Sequence, residues 1–402
     1  MKPYRKISII ERTYLFHNTP EHTRMSISIV FEGQGNLDLQ LWNTAIAKAA
    51  EKHPGSRLVK RGHLGLSQWV DTGIAPTARL VNFSHWNGKT SEGAAVFTLP
   101  MDITRGPTFE IILLEGNPNR VCFRSHHATM DAAGILIFAK DVFRALRDEP
   151  VIGSNSTLTD IEFIQNLNDR PQWPAKKELA VAATGLPKGD DLDCTWQLIR
   201  AQGKQNDLVA RLTLATRKST MRYKDHDPSL FADPVTRSRI TVNLRRHLTE
   251  DVVSTANLSS AFDVDIDNQD VPETITKKIM SSLNNRLECA LPSSLMLSLA
   301  PWVPTKLTGL SDKSILSVHK KGQYSRSGTL SNIGLIRRKE FSGGGFNTIS
   351  AFTIPPLFKL SPYFITAMGD DDGCNVLVCV PNCLGNDGRL EQLTADIKEA
   401  LS

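Results

Sequence analysis

The sequence of 402 residues predicts a mixed α/β fold, and three observations support that class. Short segments in which apolar and polar residues alternate, as in half-buried strands, occur in both halves of the chain. Longer segments with apolar residues at every third or fourth position, as in amphipathic helices, lie between them. The two kinds of segment alternate irregularly, which argues against a regular parallel βαβ array. The length predicts two domains or one two-lobed unit, at about 100–200 residues per domain.

In the first half, strands are predicted at residues 25–31, 57–60, 69–70, 109–115 and 120–125. A helix is predicted from Leu37 to His53, because apolar residues recur there every four positions and Pro54 ends the segment. A second helix is predicted after Gly134, with one apolar face formed by Ile135, Phe138, Val142 and Ala145.

Residues 150–177 are predicted to connect two lobes, because they are rich in Gly, Ser, Asn and Pro. Beyond them, helices are predicted at residues 205–219, 271–289 and 390–401, and strands at 238–244, 348–354, 363–368 and 375–380. The glycines of Ser342–Gly345 indicate a hairpin tip, and Asp370–Gly373 indicates a turn between two strands.

Composition excludes several classes of protein. The chain is 40% hydrophobic and 22% charged, which is typical of globular proteins and not of disordered ones. A net charge of +5 is too small for the dense basic surface of a nucleic-acid binder, although it fits an anionic small partner. No apolar run reaches the ~18–20 residues of a membrane span, and the N-terminal apolar stretch is too short for a signal peptide. We therefore expect a cytoplasmic protein with no membrane segment.

The six cysteines form no C-x-x-C pair, so a zinc ribbon or redox motif is not predicted, and we expect reduced, mostly buried thiols. The glycines at 343–345 lack the G-K-[ST] ending of a phosphate-binding loop. No G-x-S-x-G motif occurs, which argues against a serine hydrolase.

The segment Ser125–Gly134 is the candidate for chemistry, since His126, His127 and Asp131 stand where a predicted strand ends and a helix begins. Three interpretations are open. A histidine there could act as a general base toward an alcohol or amine. A metal site would need a third ligand, and neither His53, His63 nor His85 is suitably spaced. In a purely structural interpretation, one histidine caps the strand and Asp131 caps the helix.

The wider pattern resembles the chloramphenicol acetyltransferase-like acyltransferases, which include peptide-synthetase condensation domains, polyketide-associated acyltransferases and plant BAHD enzymes. His126–Ala132 matches their H-H-x-x-x-D-G motif, with Ala132 where the family usually has glycine. Weaker matches follow in the family's order, at residues 45–57, 100–107, 240–245 and 331–334. The resemblance spans the chain from about residue 20 to its end.

The resemblance implies two acetyltransferase-like lobes in a V, residues 1–165 and 166–402, each a mixed sheet with flanking helices. It implies that His127 is the catalytic base, and that Asp131 is structural and pairs with Arg245 of the second lobe, or with Arg246. His126 would support the site. Residues that would line a substrate tunnel are Ala132, Gly134, Ser331, Asn332 and Gly334. Arg337 and Arg338, followed by Lys339, could meet the donor's phosphates or an acidic carrier, or could form an ordinary solvated surface.

The expected function is transfer of an acyl group from a thioester to an alcohol or amine, in secondary-metabolite or lipid biosynthesis. The donor would be acyl-coenzyme A or an acyl-phosphopantetheine on a carrier protein acting in trans. No metal and no permanently bound cofactor are expected, and the protein is expected to be a monomer. Two alternatives remain: a non-catalytic docking module for a carrier protein or synthetase, and a thioester hydrolase that uses the same histidine.

Overall fold

The strands form three sheets in a computed structural model that describes residues 1–16, 25–167, 170–172, 175, 178–304, 315–358 and 361–402. The strands are β1 (Lys2–Lys6), β2 (Ser26–Gly35), β3 (Leu58–Arg61), β4 (Gln68–Asp71), β5 (Ala78–Asn82), β6 (Phe109–Glu115), β7 (Asn119–His126), β8 (Cys194–Gln202), β9 (Thr236–Asn243), β10 (Ser259–Ile266), β11 (Gly328–Leu335), β12 (Phe346–Ile354), β13 (Phe364–Gly369) and β14 (Gly373–Pro381). The first sheet has the order β12-β2-β7-β6-β5, the second β10-β9-β11-β13-β14-β8, and the small third β1-β4-β3.

Helices flank both large sheets, and the predicted mixed α/β class is confirmed. The helices are α1 (Ile9–Phe16), α2 (Leu39–Lys52), α3 (Ala132–Leu146), α4 (Asp160–Gln165), α5 (Leu208–Met221), α6 (Pro228–Phe231), α7 (Pro272–Asn284), α8 (Ser294–Leu299), α9 (Asn382–Gly385) and α10 (Arg389–Leu401). Residues 315–319 are also helical. None of the helices in the described ranges is long and apolar enough to cross a membrane.

The first sheet is covered on both faces. Ile27, Ile29 and Phe31 of β2 pack in one core with the apolar faces of α2 and α3. Val30, on the opposite face of the same strand, packs in a core that also contains Trp196 of β8 from the second sheet. Because neighbouring residues of a strand point to opposite faces, β2 must be apolar on both. The two large sheets therefore share buried side chains.

The second sheet carries its own core, in which α5 and α10 cover residues such as Ile240, Leu330 and Val376. One strand crosses between the halves of the chain. β12, from the second half, pairs antiparallel with β2, with Phe346 opposite Gly35 and Ile354 opposite Ser28. The division of the chain into lobes at residues 165 and 166 stays a prediction.

Most predicted elements are present, with shifted ends. α3 begins at Ala132 instead of after Gly134, because Asp131 caps it. The helix predicted to Cys289 ends at Asn284, since Arg286 has a φ of +52° and cannot continue it. The predicted connection at 150–177 contains α4, and its residues 168, 169, 173, 174, 176 and 177 lie outside the described residues.

A buried carboxylate, that of Asp141, ties the end of α2 to the segment that follows α3. Asp141 of α3 accepts hydrogen bonds from His53 Nε2 at 2.7 Å and from the backbone amides of Ile152 and Gly153. Burial raises the pKa of the Asp141 carboxyl, but these hydrogen bonds outweigh it and hold the pKa below its usual value. A lowered folded-state pKa contributes stability above the unfolded pKa of about 3.9, and that stability is lost as pH falls through the folded value.

We expect Asp141→Asn to lower the free energy of unfolding at pH 7 by ~1–3 kcal/mol, the range for a weakened buried hydrogen-bond group. The difference from the wild type should begin to shrink as pH falls below about 4, because the unfolded wild-type chain then binds a proton at this carboxyl that the folded Asp141 does not. Urea unfolding at pH 7, 5 and 3.5 measures this. A difference that stays constant over that range would contradict the assignment to the charged form of Asp141.

Candidate active site

The loop from His126 to Asp131 is fixed at both ends by regular structure. His126 is the last residue of β7 and pairs with Ser26 of β2, and the His127 amide donates to the Met25 carbonyl at 2.8 Å. At the other end, Asp131 Oδ1 accepts a hydrogen bond from the Gly134 amide at 2.7 Å and caps α3. The loop therefore holds its side chains in defined positions between a strand and a helix.

His126 is a buried, neutral residue. Its Nδ1 accepts a hydrogen bond from the Ala128 amide at 3.2 Å, and its Nε2 has no hydrogen-bond partner in the described part of the chain. Burial lowers the pKa of His126 to about 3, and the charge of Arg124 and that of His127 when it is protonated act in the same direction. An imidazole with that pKa stays uncharged at neutral pH, as a packed structural residue does.

His127 is 7% exposed, and its ring stacks on Tyr14 with 4.4 Å between the ring centroids and 25° between the planes. Burial lowers the pKa of His127, while the Asp131 charge and the backbone of His127 and Met130 act in the opposite direction. The net lowering favours the neutral imidazole at pH 7, and the neutral form is the one that can accept a proton.

Two further residues, Asn257 and Tyr14, hold His127, and neither was predicted from the sequence. Asn257 Nδ2 donates to the His127 carbonyl at 2.8 Å and lies 3.4 Å from His127 Nδ1. Burial raises the pKa of the Tyr14 hydroxyl to about 12, although a hydrogen bond from Asn257 lowers it, so Tyr14 stays protonated. The four-residue spacing of Ile10 and Tyr14 was a helical signal that could have indicated α1. Asn257 precedes β10 in a loop without a recognisable pattern.

Asp131 joins the two halves of the chain. Its Oδ2 accepts hydrogen bonds from Arg245 Nη1 and from the Leu258 amide, both at 2.8 Å. Arg245 also donates to the carbonyls of Ser254 and Ala256, so its guanidinium is held on both sides. The side chains of Asp131 and Arg245 are 6% and 12% exposed. Arg246, the alternative partner, is exposed.

Two glycines allow the segment around Thr255 to approach this loop. A Cβ atom on Gly134 would lie 2.3 Å from the Thr255 carbonyl oxygen, and one on Gly55 would lie 2.3 Å from Thr255 Oγ1. Gly134 therefore provides room for backbone contact between the two halves. Ala132, which replaces the motif's usual glycine, is the first residue of α3, a position that alanine adopts without strain.

Comparison with solved structures identifies the fold. The first condensation domain of the calcium-dependent antibiotic synthetase, in complex with a substrate analogue, has a TM-score of 0.66 at 13% identity, over 99% of this chain and 96% of that one. A variant starter condensation domain of rhizomide synthetase, in complex with C8-CoA, has a TM-score of 0.64 at 12% identity, over 100% and 95%. The chain has the two-lobed condensation-domain fold.

Polyketide synthase associated protein 5 from Mycobacterium tuberculosis shares this fold, with a TM-score of 0.63 at 12% identity, over 100% of this chain and 98% of that one. The predicted chloramphenicol acetyltransferase-like fold is thereby confirmed, because condensation domains belong to that superfamily. No protein-family model and no curated protein sequence matches the chain.

The residues of this chain that were predicted to line a substrate tunnel lie on two elements, α3 and β11. Ala132 and Gly134 are buried in the first turn of α3. Ser331, Asn332 and Gly334 lie on β11, where Thr241 donates to Ser331 Oγ at 2.8 Å and Asn332 Oδ1 accepts from the Gly334 amide at 3.0 Å. None of these three makes a hydrogen bond to His127 or Asp131 among the described contacts, so their lining role stays a prediction.

The predicted donor-contact arginines lie beside the C-terminal half of α3. Arg338 forms ion pairs with Asp371 at 3.2 Å and Asp372 at 2.7 Å, whereas Arg337 is exposed. Arg338–Phe341 form a 3₁₀ turn in which Glu340 pairs with Lys140 of α3, and Asp131 caps the N-terminus of that helix. The charge of Arg338 is therefore partly compensated by Asp371 and Asp372.

Across the described ranges, the single group of three potential metal ligands is His247, Glu288 and Cys289, with ligand atoms within 4.8 Å of one another. It does not include the histidines of the 126–131 loop. His247 Nε2 lies 2.9 Å from Glu288 Oε1, which is a direct ion-pair contact if the histidine is protonated.

Proposed function

We propose that this protein transfers an acyl group from a thioester to an alcohol or amine, with His127 as the general base. The observation that carries the proposal is the environment of His127, a neutral imidazole stacked on Tyr14 at the end of β7. Asp131 is engaged by Arg245 and the α3 N-terminus, so it orders the loop and does not act as a second acid.

The reaction balances without a covalent enzyme intermediate. His127 takes the proton of the acceptor O–H or N–H as the acceptor atom attacks the thioester carbonyl carbon. The C–S bond then breaks, and the leaving thiolate receives the proton from His127. The products are an ester or amide and a free thiol, and the imidazole returns to its neutral form.

The donor is proposed to be acyl-coenzyme A or an acyl-phosphopantetheine carried by a partner protein in trans. The supporting observation is that starter condensation domains with this fold have been solved in complex with C8-CoA. The proposed setting is secondary-metabolite or lipid biosynthesis, and the thioester is a co-substrate, not a resident cofactor. Residues 1–165 and 166–402 would form the two lobes that hold the two substrates.

Two rival functions use the same structure. A docking module for a carrier or synthetase would need no base, so the ordered surroundings of His127 argue against it. A thioester hydrolase would use the same base with water as the acceptor, and it differs from the transferase in its products.

Mass spectrometry of reactions with a panel of acyl-coenzyme A and acyl-carrier donors tests these functions. Each donor is incubated with mixed alcohols and amines. A transferase forms ester or amide products together with free thiol, whereas a hydrolase forms the free acid alone. A protein that binds an acyl-carrier but turns over no donor would overturn the proposal in favour of the docking module.

A further expected result concerns Arg337 and Arg338. If they attract an anionic donor, replacing both by Ala should raise the donor KM by about 1.5- to 5-fold, the range for exposed charge contacts, and flatten its salt dependence. The turnover rate at saturation should barely change. A small thioester without phosphates serves as the control and should be unaffected. Unchanged donor KM and salt slope would identify this run as an ordinary solvated surface.

A further inference from the structure

Arg326, just before β11, is a cation without a counter-ion in the described structure. Its Nε is sealed from solvent and has no hydrogen-bond partner, and no ion pair involves its guanidinium. The residue as a whole keeps part of its surface open. The other described arginines with a buried, unpartnered Nε each donate to a carbonyl through another nitrogen, and they are Arg5, Arg12, Arg144 and Arg217.

The neighbouring charges leave Arg326 unmatched. Arg237 of β9 pairs with Asp265 of β10 through its Nε at 2.5 Å, and Arg239 pairs with Asp263 through its Nε at 2.8 Å. The charges that act on Arg326 are those of Arg239, Asp263 and Arg237. Each of the two aspartates already has an arginine across the β9–β10 ladder, so within the described residues these two pairs leave Arg326 without an anion of its own.

An unmatched, partly buried cation destabilises the empty protein. Burial, together with the nearby charges of Arg239 and Arg237, lowers the pKa of Arg326 to about 10, although the charge of Asp263 acts in the opposite direction. Removing a charge from water costs free energy unless an opposite charge and hydrogen bonds replace the lost solvation. Binding sites often lower the stability of a protein in this way, because the ligand supplies the opposite charge when it binds.

The cluster lies on the strand that leads to the candidate active site. Arg239, Arg237 and Thr241 occupy alternate positions of β9, on the face opposite the buried Ile240 and Val242. The Arg239 charge also acts on the Tyr14 hydroxyl, and the Tyr14 ring stacks on His127. β9 runs from Arg237 and Arg239 toward Arg245, the partner of Asp131, and the two neighbours of Arg326, Ser325 and Ser327, hydrogen-bond to Arg237.

We propose that Arg326 binds an anionic oxygen group, a carboxylate or a phosphate, on one of the two substrates. This proposal rests on the proposed acyl-transfer function, and it assigns a substrate class to that site. A guanidinium fork matches both groups, because each offers two oxygens for paired N–H···O hydrogen bonds. The phosphate would come from a phosphopantetheine donor, and the carboxylate from an acidic acceptor or acyl group.

The test compares the thermal stability of the full chain with Arg326→Met and Arg326→Lys. Four probes are added separately: 4′-phosphopantetheine and pantetheine, which differ by the phosphate, and succinate and succinamide, which differ by the carboxylates. Arg246→Met, at an exposed arginine, is the matched control.

We expect Arg326→Met to melt higher than the wild type without a probe, because it removes an unmatched cation. We also expect one anionic probe to raise the wild-type melting temperature, while its neutral counterpart does not. The affinity for that probe should fall about tenfold or more in Arg326→Met and less in Arg326→Lys, which keeps the charge but not the fork. Which anion acts distinguishes a donor phosphate from a substrate carboxylate.

Three results would overturn the proposal. The first is that Arg326→Met melts lower than the wild type or fails to fold, which would make the guanidinium structural. The second is that an anionic probe stabilises the wild type and Arg326→Met equally. The third is that none of the anionic probes stabilises the wild type. Because these measurements need no turnover, they are separate from the acyl-transfer test, and either can fail without the other.

Discussion

His127→Ala is expected to lower the turnover rate by ~10²–10⁴-fold, the usual contribution of a positioned general base. The variant should remain folded, because the loop is held at one end by the bond from the His127 amide to the Met25 carbonyl and at the other by the Asp131 side chain, which caps α3. Turnover with a genuine donor and acceptor measures the loss, and circular dichroism and thermal melting check the fold. The acid limb of the wild-type pH profile should fall below the ordinary histidine pKa of about 6.5, because the pKa of His127 is lowered and the base must be neutral.

His126→Ala is the matched control, since it changes the adjacent histidine in the same loop. We expect a smaller loss of rate, with any effect arising from local packing, because His126 is buried and hydrogen-bonded to the Ala128 amide. Equal rates for the wild type and His127→Ala would rule out His127 as the base. A larger loss for His126→Ala than for His127→Ala would reverse the assignment of the two histidines.

Breaking the Asp131–Arg245 pair should cause the largest loss of stability, ~3–5 kcal/mol for either Asp131→Asn or Arg245→Ala. Arg245→Ala leaves the buried Asp131 carboxylate with two amide hydrogen bonds and no cation. It also removes the donors to the Ser254 and Ala256 carbonyls. Urea unfolding at pH 7 measures the change, and the rate should fall with it because the 126–131 loop loses its anchor.

Arg246→Ala is the control for Arg245→Ala, because it removes the adjacent arginine from an exposed position. It should change the stability by less than about 0.5 kcal/mol, as surface substitutions usually do. A double-mutant cycle over Asp131 and Arg245 isolates their interaction. Single-variant losses that simply add would show that the two side chains are not energetically coupled, contrary to the 2.8 Å contact.

The motif-bearing segments could be predicted because their signals are local. The alternation of β2, the four-residue spacing of α2 and the strand-to-helix change around His127 and Asp131 all lie within short windows of sequence. The order of the wider motifs also indicated Arg245 as a partner of Asp131, and the structure places these two side chains in contact.

The remaining features depend on contacts between distant segments. Tyr14 and Asn257 stand over a hundred positions from His127 in either direction, and no periodicity connects them to it. β8 and β10 were not predicted, although β10 carries the local signal of a strand, with the buried Phe262, Val264 and Ile266 alternating with half-buried polar residues. The unmatched charge of Arg326 becomes visible once the two arginine–aspartate pairs on β9 and β10 are in place.

The pairing of β12 with β2 has a consequence for synthesis of the chain. β2 is buried along most of its length, and without β12 it becomes the edge strand of the first sheet. During translation this edge stays open until residues near Ile354 leave the ribosome, late in the chain. An open, apolar edge can pair with another nascent chain. Yield in cells should therefore depend on chaperone supply, and fragments that end before β12 should aggregate.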